Sequence, residues 1–314
     1  MRMSAAAMPD PLRIVFMGSP AFAVPTLAAL ARSRHAVVSV VTGPDKRRGR
    51  GGERSPTAVK AAADELGLPV IETDTLHAAA IGASLAALAP DLIVVVAFKI
   101  LPPELLSLPR IGSINAHASL LPKYRGAAPI HHAILHGESE TGVTIFMLDR
   151  GIDTGGILLR EKTPLGQDET TGDVYERLRH VAADAVLRAV DGLAAGTAAP
   201  VPQDEALATS APKIHPDDGW LDLTQTATAL RNRIRAFTPQ PGAWVRLDGR
   251  KLRILGAETD PSPHLTADPL QWQTGSGWLR PTLVQLEGRR VQTASEFRNG
   301  YVGAWRIEGK KEYI

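Results

Sequence analysis

Asn115 and His117 stand two residues apart near the end of an apolar run, IGSINAHA at 111–118. As a β-strand, that run turns both side chains to one face. Open α/β sheets bind ligands beyond the carboxyl ends of their strands, which is where this pair falls. An amide donor and an imidazole aimed at one point suit acyl transfer: the amide N–H holds a developing oxyanion while the imidazole handles a proton. The alternative is a polar strand end that satisfies its own loop. Further on, Gly151-Ile152-Asp153-Thr154-Gly155-Gly156 sets one carboxylate in a glycine-flanked turn. Glycine there permits close approach of a ligand. Asp153 can orient or charge a nearby histidine, or it can simply close an Asx turn.

Three other groups invite chemistry. Residues 46–54, KRRGRGGER, carry five basic side chains and one acidic one among three glycines. Phosphate contact is the functional reading and a solvated surface loop the plain one. His131, His132 and His136 fall on an expected helix, where 132 and 136 form an i,i+4 pair. No carboxylate lies beside them in sequence, so a capping or solvated role is expected and no metal site. The segment Ser119 to Ile130, SLLPKYRGAAPI, reads as a loop whose glycine and prolines fix its turns before a helix begins near Pro129.

Several chemistries are excluded. The chain has no cysteine, which removes disulfides, thiolate metal sites and a cysteine nucleophile, and fits a reducing compartment. Gly18-Ser19-Pro20-Ala21-Phe22 lacks the further glycines of a dinucleotide fingerprint, and no Walker, GxSxG or HExxH motif occurs. No apolar run is long enough to span a membrane and no secretory leader is evident, so a cytoplasmic protein is expected.

These residues need a scaffold to bring them together. LRIVFM at 12–17, AVVSVVT at 36–42, DLIVVVA at 91–97 and IGSINAHA read as strands, and apolar residues recur at helical spacing after Gly18 and over 58–66. Ser55 and Pro56 sit where that second helix could start. Strands alternating with helices predict a Rossmann-like α/β domain with a parallel sheet covered on both faces. A strand pair near 141–148 and 155–161 follows. A long helix over 171–195 is then expected, with Val174, Leu178, Val181, Leu187 and Val190 on its apolar stripe and Gly196 closing it.

At 314 residues, with 44% hydrophobic and 22% charged side chains, the chain suits a soluble protein of two domains. The expected division is a catalytic domain at 1–196, a Pro- and Ala-rich linker at 197–217 and a second domain at 218–314. All five tryptophans lie after position 219, among short β-like runs that predict a small β-barrel of OB-like topology. Residues 218–314 hold 14 Lys/Arg against 10 Asp/Glu, so this part is +4 although the whole chain is only +2. Basic character confined to one domain is the footprint of a nucleic-acid partner, although many basic domains bind nothing anionic.

Taken together, INAHASLLPKYRGAAPI and ETGVTIFMLDRGIDTGGIL resemble the core of the folate-dependent formyltransferases, in particular the members that act on methionyl-tRNA. IVFMGSPAFAVPTLAAL, PDKRRGRGGERSPTAVK, APKIHPDDGWLDL and RNRIRAFTPQPGAW extend the likeness along nearly the whole chain. The resemblance implies formyl transfer from 10-formyltetrahydrofolate to the α-amine of methionyl initiator tRNA, without a metal; a monomer is expected. It makes Asn115, His117 and Asp153 the catalytic trio and Ser119, Leu120, Leu121 and Pro122 the folate-contacting loop. Arg47, Arg48, Arg50 and Arg54 then belong to a loop at the acceptor stem, and 218–314 to a tRNA-binding barrel. Ala97 to Pro102 departs from the family's A-Y-G-x-I-L-P pattern.

Overall fold

A computed structural model describes residues 11–48, 53–260 and 268–308. By contact density it divides into two compact units: 1–126 with 141–163 and 175–210, and 127–140 with 164–174 and 211–314.

The first unit is built on a seven-stranded sheet. Its strands are β1 (Arg13–Gly18), β2 (Ala36–Thr42), β5 (Val70–Glu72), β6 (Leu92–Val96), β7 (Gly112–His117), β8 (Glu140–Met147) and β9 (Ile157–Pro164); β3 (Lys46–Arg48) and β4 (Glu53–Ser55) form a separate two-stranded ribbon. The order is β5-β2-β1-β6-β7-β8-β9, parallel from β5 to β7 and antiparallel between β7 and β8. β1 and β6 are buried along almost their entire length, which is why both read as unbroken apolar runs rather than alternating ones. On one face Val15, Met17, Ile93 and Val95 pack with Ile81, Leu85 and Leu105 from the helices Ala78–Ala87 and Pro103–Leu106.

Two local details differ from the sequence reading. The helix Ala58–Glu65 is capped by Thr57, whose hydroxyl accepts the Lys60 N–H at 3.0 Å, so the start lies just beyond the Ser55-Pro56 pair. The long helix Thr171–Ala194 buries Val174, Leu178, Ala182, Val186, Val190 and Leu193. Val181 and Leu187 are only half-buried; alanines complete the stripe because they allow close packing at the expected spacing. Gly196, at φ +67°, ends it as expected.

The second unit contains an antiparallel sheet of an OB-like domain: β10 (Ala243–Leu247), β11 (Arg250–Asp260), β12 (Trp272–Gln273), β13 (Trp278–Leu286), β14 (Gln292–Thr293) and β15 (Ile307–Glu308). β10 and β11 are joined by Asp248-Gly249, both at positive φ as a tight hairpin turn requires. Asp248 also accepts the Tyr301 hydroxyl at 2.6 Å and the Arg306 N–H at 2.9 Å, fastening the segment that leads into β15. The helix Pro129–Leu135 belongs to this unit and packs on the helix Ala227–Ala236.

Candidate active site

β7 carries Asn115 and His117 on one face and ends at His117, flanked by β6 and β8. Asn115 is half-buried and His117 buried. The ring of His117 is fixed from one side: Nε2 lies 2.8 Å from the Tyr124 carbonyl oxygen, an acceptor, so Nε2 carries the proton. Nδ1 is left facing Asp153, 3.6 Å from Oδ2. That separation exceeds a direct hydrogen bond and lies within ion-pair reach. The trio named from sequence thus has His117 and Asp153 face to face across the end of β7, with Asn115 on the same strand face.

Asp153 sits at φ +56°, a left-handed conformation that costs a non-glycine residue roughly 1–2 kcal/mol. Such strain persists where the surroundings over-determine it. Three contacts do so. The Gly126 N–H donates to Asp153 Oδ2 at 2.8 Å. The Gln203 side-chain amide donates to the carbonyls of Asp153 and Gly155 at 2.8 and 2.9 Å. A Cβ on Gly155 would lie 1.7 Å from the Met147 carbonyl oxygen, so only glycine lets the turn press against β8.

The SLLP loop is braced from within. Ser119 is fully buried and its hydroxyl donates to the Lys123 carbonyl at 2.7 Å. Thr144, also fully buried, donates to the Ser119 carbonyl at 2.7 Å and accepts the Leu121 N–H at 3.0 Å, so one hydroxyl ties β8 to both ends of the loop's first turn. Leu121 packs on Phe146 and Ile157, Pro122 is buried behind a cis peptide, and Leu120 alone of the four keeps part of its surface. Three hydrogen bonds and the packing of Leu121 thus brace the loop.

Sequence reasoning passed over the residues that hold this frame. Arg125 donates to both carboxylate oxygens of Glu205 at 2.7 and 2.8 Å and, through Nε and an Nη, to Gln203 Oε1 at 3.2 and 2.8 Å. The pairing raises the Arg125 pKa and lowers that of Glu205, each chiefly through the hydrogen bonds they share. Thr209 receives the Tyr124 N–H on its hydroxyl at 2.9 Å and the Arg125 N–H on its carbonyl at 2.8 Å. Arg125 lies in the SLLPKYRG segment and so had a signal. Gln203, Glu205 and Thr209 lie in a stretch that reads as linker and had none.

The described parts of the basic segment pair as a two-stranded ribbon: β3 and β4 run antiparallel in a register that sets Arg47 opposite Arg54 and Arg48 opposite Glu53. Arg54 is exposed, and Arg50 lies outside the described residues. The three histidines are spent on carbonyls: His131 on Gln240 at 3.4 Å, His132 on Pro212 at 3.0 Å and His136 on His132 at 2.7 Å. Among the described residues no three His, Cys, Asp or Glu side chains could together hold a metal ion. No described helix is long and apolar enough to cross a membrane.

Residues 12–190 match the formyl transferase family and residues 213–302 its C-terminal domain. A methionyl-tRNA formyltransferase of Citrifermentans bemidjiense is 42% identical over 298 residues, 92% of this chain and 94% of the relative. One from Pseudomonas paraeruginosa is 44% identical over 296 residues, 92% of this chain and 96% of the relative. An N-formyltransferase from Helicobacter canadensis, solved with folinic acid and dTDP-3-aminofucose, shares the fold at a TM-score of 0.65 and 18% identity, over 86% of this chain and 99% of that one.

Proposed function

The chain belongs to the formyl transferase family, and from that premise we propose that it moves the formyl group of 10-formyltetrahydrofolate to the α-amine of methionyl initiator tRNA. The geometry supporting this reading is the pair His117 Nδ1 and Asp153 Oδ2, 3.6 Å apart at a strand end that also carries Asn115. The near full-length similarity to methionyl-tRNA formyltransferases supports the acceptor.

In this reading the free amine attacks the formyl carbon, a C–N bond forms, and the carbonyl oxygen gathers negative charge. Asn115 donates its amide N–H to that oxyanion, where a preorganised donor is worth most. His117 meets the same oxygen or the amine proton through Nδ1, because Nε2 is committed to Tyr124. Asp153, 3.6 Å from Nδ1, orients the ring and faces it with a carboxylate as charge develops in the transition state. The bond from carbon to the folate nitrogen breaks as that nitrogen takes the proton lost by the amine, leaving tetrahydrofolate and N-formylmethionyl-tRNA. General acid–base work of this kind contributes about 10²- to 10⁴-fold.

The SLLP loop contacts the folate, with Leu120 offering its partly exposed surface and the buried Ser119, Leu121 and Pro122 bracing the loop behind it. Arg47, Arg48, Arg50 and Arg54 take tRNA phosphates. The proposed division of labour gives catalysis to 1–196, makes 197–217 both the join and, through Gln203, Glu205 and Thr209, a brace of the site, and gives tRNA binding to 218–314, where the basic excess is found. Because the acceptor is a tRNA used to start translation, the reading places the protein in the cytoplasm; it acts as a monomer, which sedimentation velocity checks. The acceptor is tested by supplying 10-formyltetrahydrofolate with methionyl initiator tRNA or with glycinamide ribonucleotide. Transfer to the tRNA alone is expected; transfer only to the small amine would overturn the acceptor assignment while sparing the trio.

A further inference from the structure

Gln203 is buried, and all of its hydrogen-bonding capacity is in use. Its two N–H groups go to the carbonyls of Asp153 and Gly155, and its oxygen receives two N–H groups of Arg125. Carbonyls on one side and a guanidinium on the other allow only one orientation of this amide. The Arg125 guanidinium is held in turn by Glu205, which takes its fork on both carboxylate oxygens. Backbone pairing sets this strip in place: Val201 exchanges hydrogen bonds with Ile157 at 2.7 and 2.9 Å, so Gln203 follows two residues after a fixed point. The clamp spans the turn whose central residue, Asp153, holds a left-handed backbone.

We infer that Gln203 is a positioning residue for Asp153, its amide N–H groups holding the 153–155 turn so that the carboxylate stays opposite His117 Nδ1. The inference rests on the catalytic reading of Asp153 given above. Gln203 touches no reacting atom; it acts through the turn. Its two ends do separable things, and the substitutions can separate them. Gln203→Ala removes both. Gln203→Glu keeps an acceptor for Arg125 and turns the donors into a carboxylate oxygen that repels the two carbonyls.

The test is steady-state formyl transfer to methionyl initiator tRNA by the full chain carrying Gln203→Ala, Gln203→Glu, Asp153→Ala and the Gln203→Ala/Asp153→Ala pair, with circular dichroism to establish folding. Both Gln203 variants should lose about 10- to 100-fold in kcat, the scale of a misplaced catalytic group, with KM for the folate little changed. In the Asp153→Ala background, Gln203→Ala should cost nothing further. Parental kcat in Gln203→Glu would overturn the inference, as would losses that multiply in the double variant, since each places the role of Gln203 elsewhere. Should Gln203→Ala not fold, Gln203→Glu decides by itself. Asp153→Ala retaining turnover would instead overturn the reading beneath it, an outcome visible in that single variant.

Discussion

His117 Nδ1 faces Asp153 Oδ2 across 3.6 Å while the other ring nitrogen is bound to the Tyr124 carbonyl at 2.8 Å. The imidazole therefore has one nitrogen that fixes its place and one that faces the carboxylate. Asp153 is divided in the same way: its side chain accepts the Gly126 N–H, and its backbone carbonyl is held by Gln203. Both members of the pair are locked by groups outside it, as the proposed catalytic role would require.

The turn at 153–155 has no room to spare. Gly155→Ala would put a Cβ 1.7 Å from a backbone oxygen, so the turn must move away from β8. We expect kcat for formyl transfer to fall at least about tenfold, as for other small displacements of a catalytic group. Single-turnover rates of the purified variant check this; a parental rate would show that the position of the turn does not matter to the chemistry.

Thr144 reaches the site only through the loop it braces. Thr144→Val preserves shape and strands the Ser119 carbonyl and the Leu121 N–H, both buried, at about 1–3 kcal/mol each. Thr144→Ser keeps the hydroxyl and should recover most of that stability. Urea unfolding midpoints of the two variants, compared with the parent, measure the difference.

Much of this site is legible in the sequence, and the remainder fails for physical reasons. Asn115 and His117 are legible as a same-face pair at a strand end and Asp153 as a carboxylate between glycines, but each also reads as a plain loop or turn residue, and only the family resemblance joins the three. Strands β1 and β6 are legible because full burial demands unbroken apolar residues. The β3–β4 ribbon is not, since its strands are short and charged and carry no period. The helix Ala78–Ala87 is equally silent: its run AAAIGASLAA has no polar face to set off an apolar one. Gln203 is the hardest case, because its importance comes from four bonds to residues distant in sequence and none of that is written in the texture around it.

His131 and His132 are half-buried and burial pushes both imidazoles down from the usual histidine value near 6.5. The unfolded chain then binds more protons below about pH 6.5, so stability should be fully present above that value and decline as pH falls towards the lowered folded-state values. His131→Gln should flatten part of this slope. Urea midpoints at pH 8 and pH 5.5 test it; an equal slope in the variant would remove His131 from the account.

The arginines of the basic segment 46–54 should act on binding alone. Replacing Arg47, Arg48, Arg50 or Arg54 by Ala should weaken tRNA binding and flatten the plot of log affinity against log salt by roughly 0.7 to 0.9 per lost phosphate contact. Folate KM should not move. Filter binding across a salt series reads the slope directly, and an unchanged slope would take the segment out of the tRNA interface.

The central claim is that Asn115 and His117 act in the transition state rather than in substrate binding. Its most direct test is the single-turnover rate of formyl transfer from 10-formyltetrahydrofolate to methionyl initiator tRNA by the parent, Asn115→Ala and His117→Ala, with folate affinity measured on the same samples. The account predicts rates lower by about 10²- to 10⁴-fold at nearly unchanged folate affinity. Comparable turnover in either variant would contradict it.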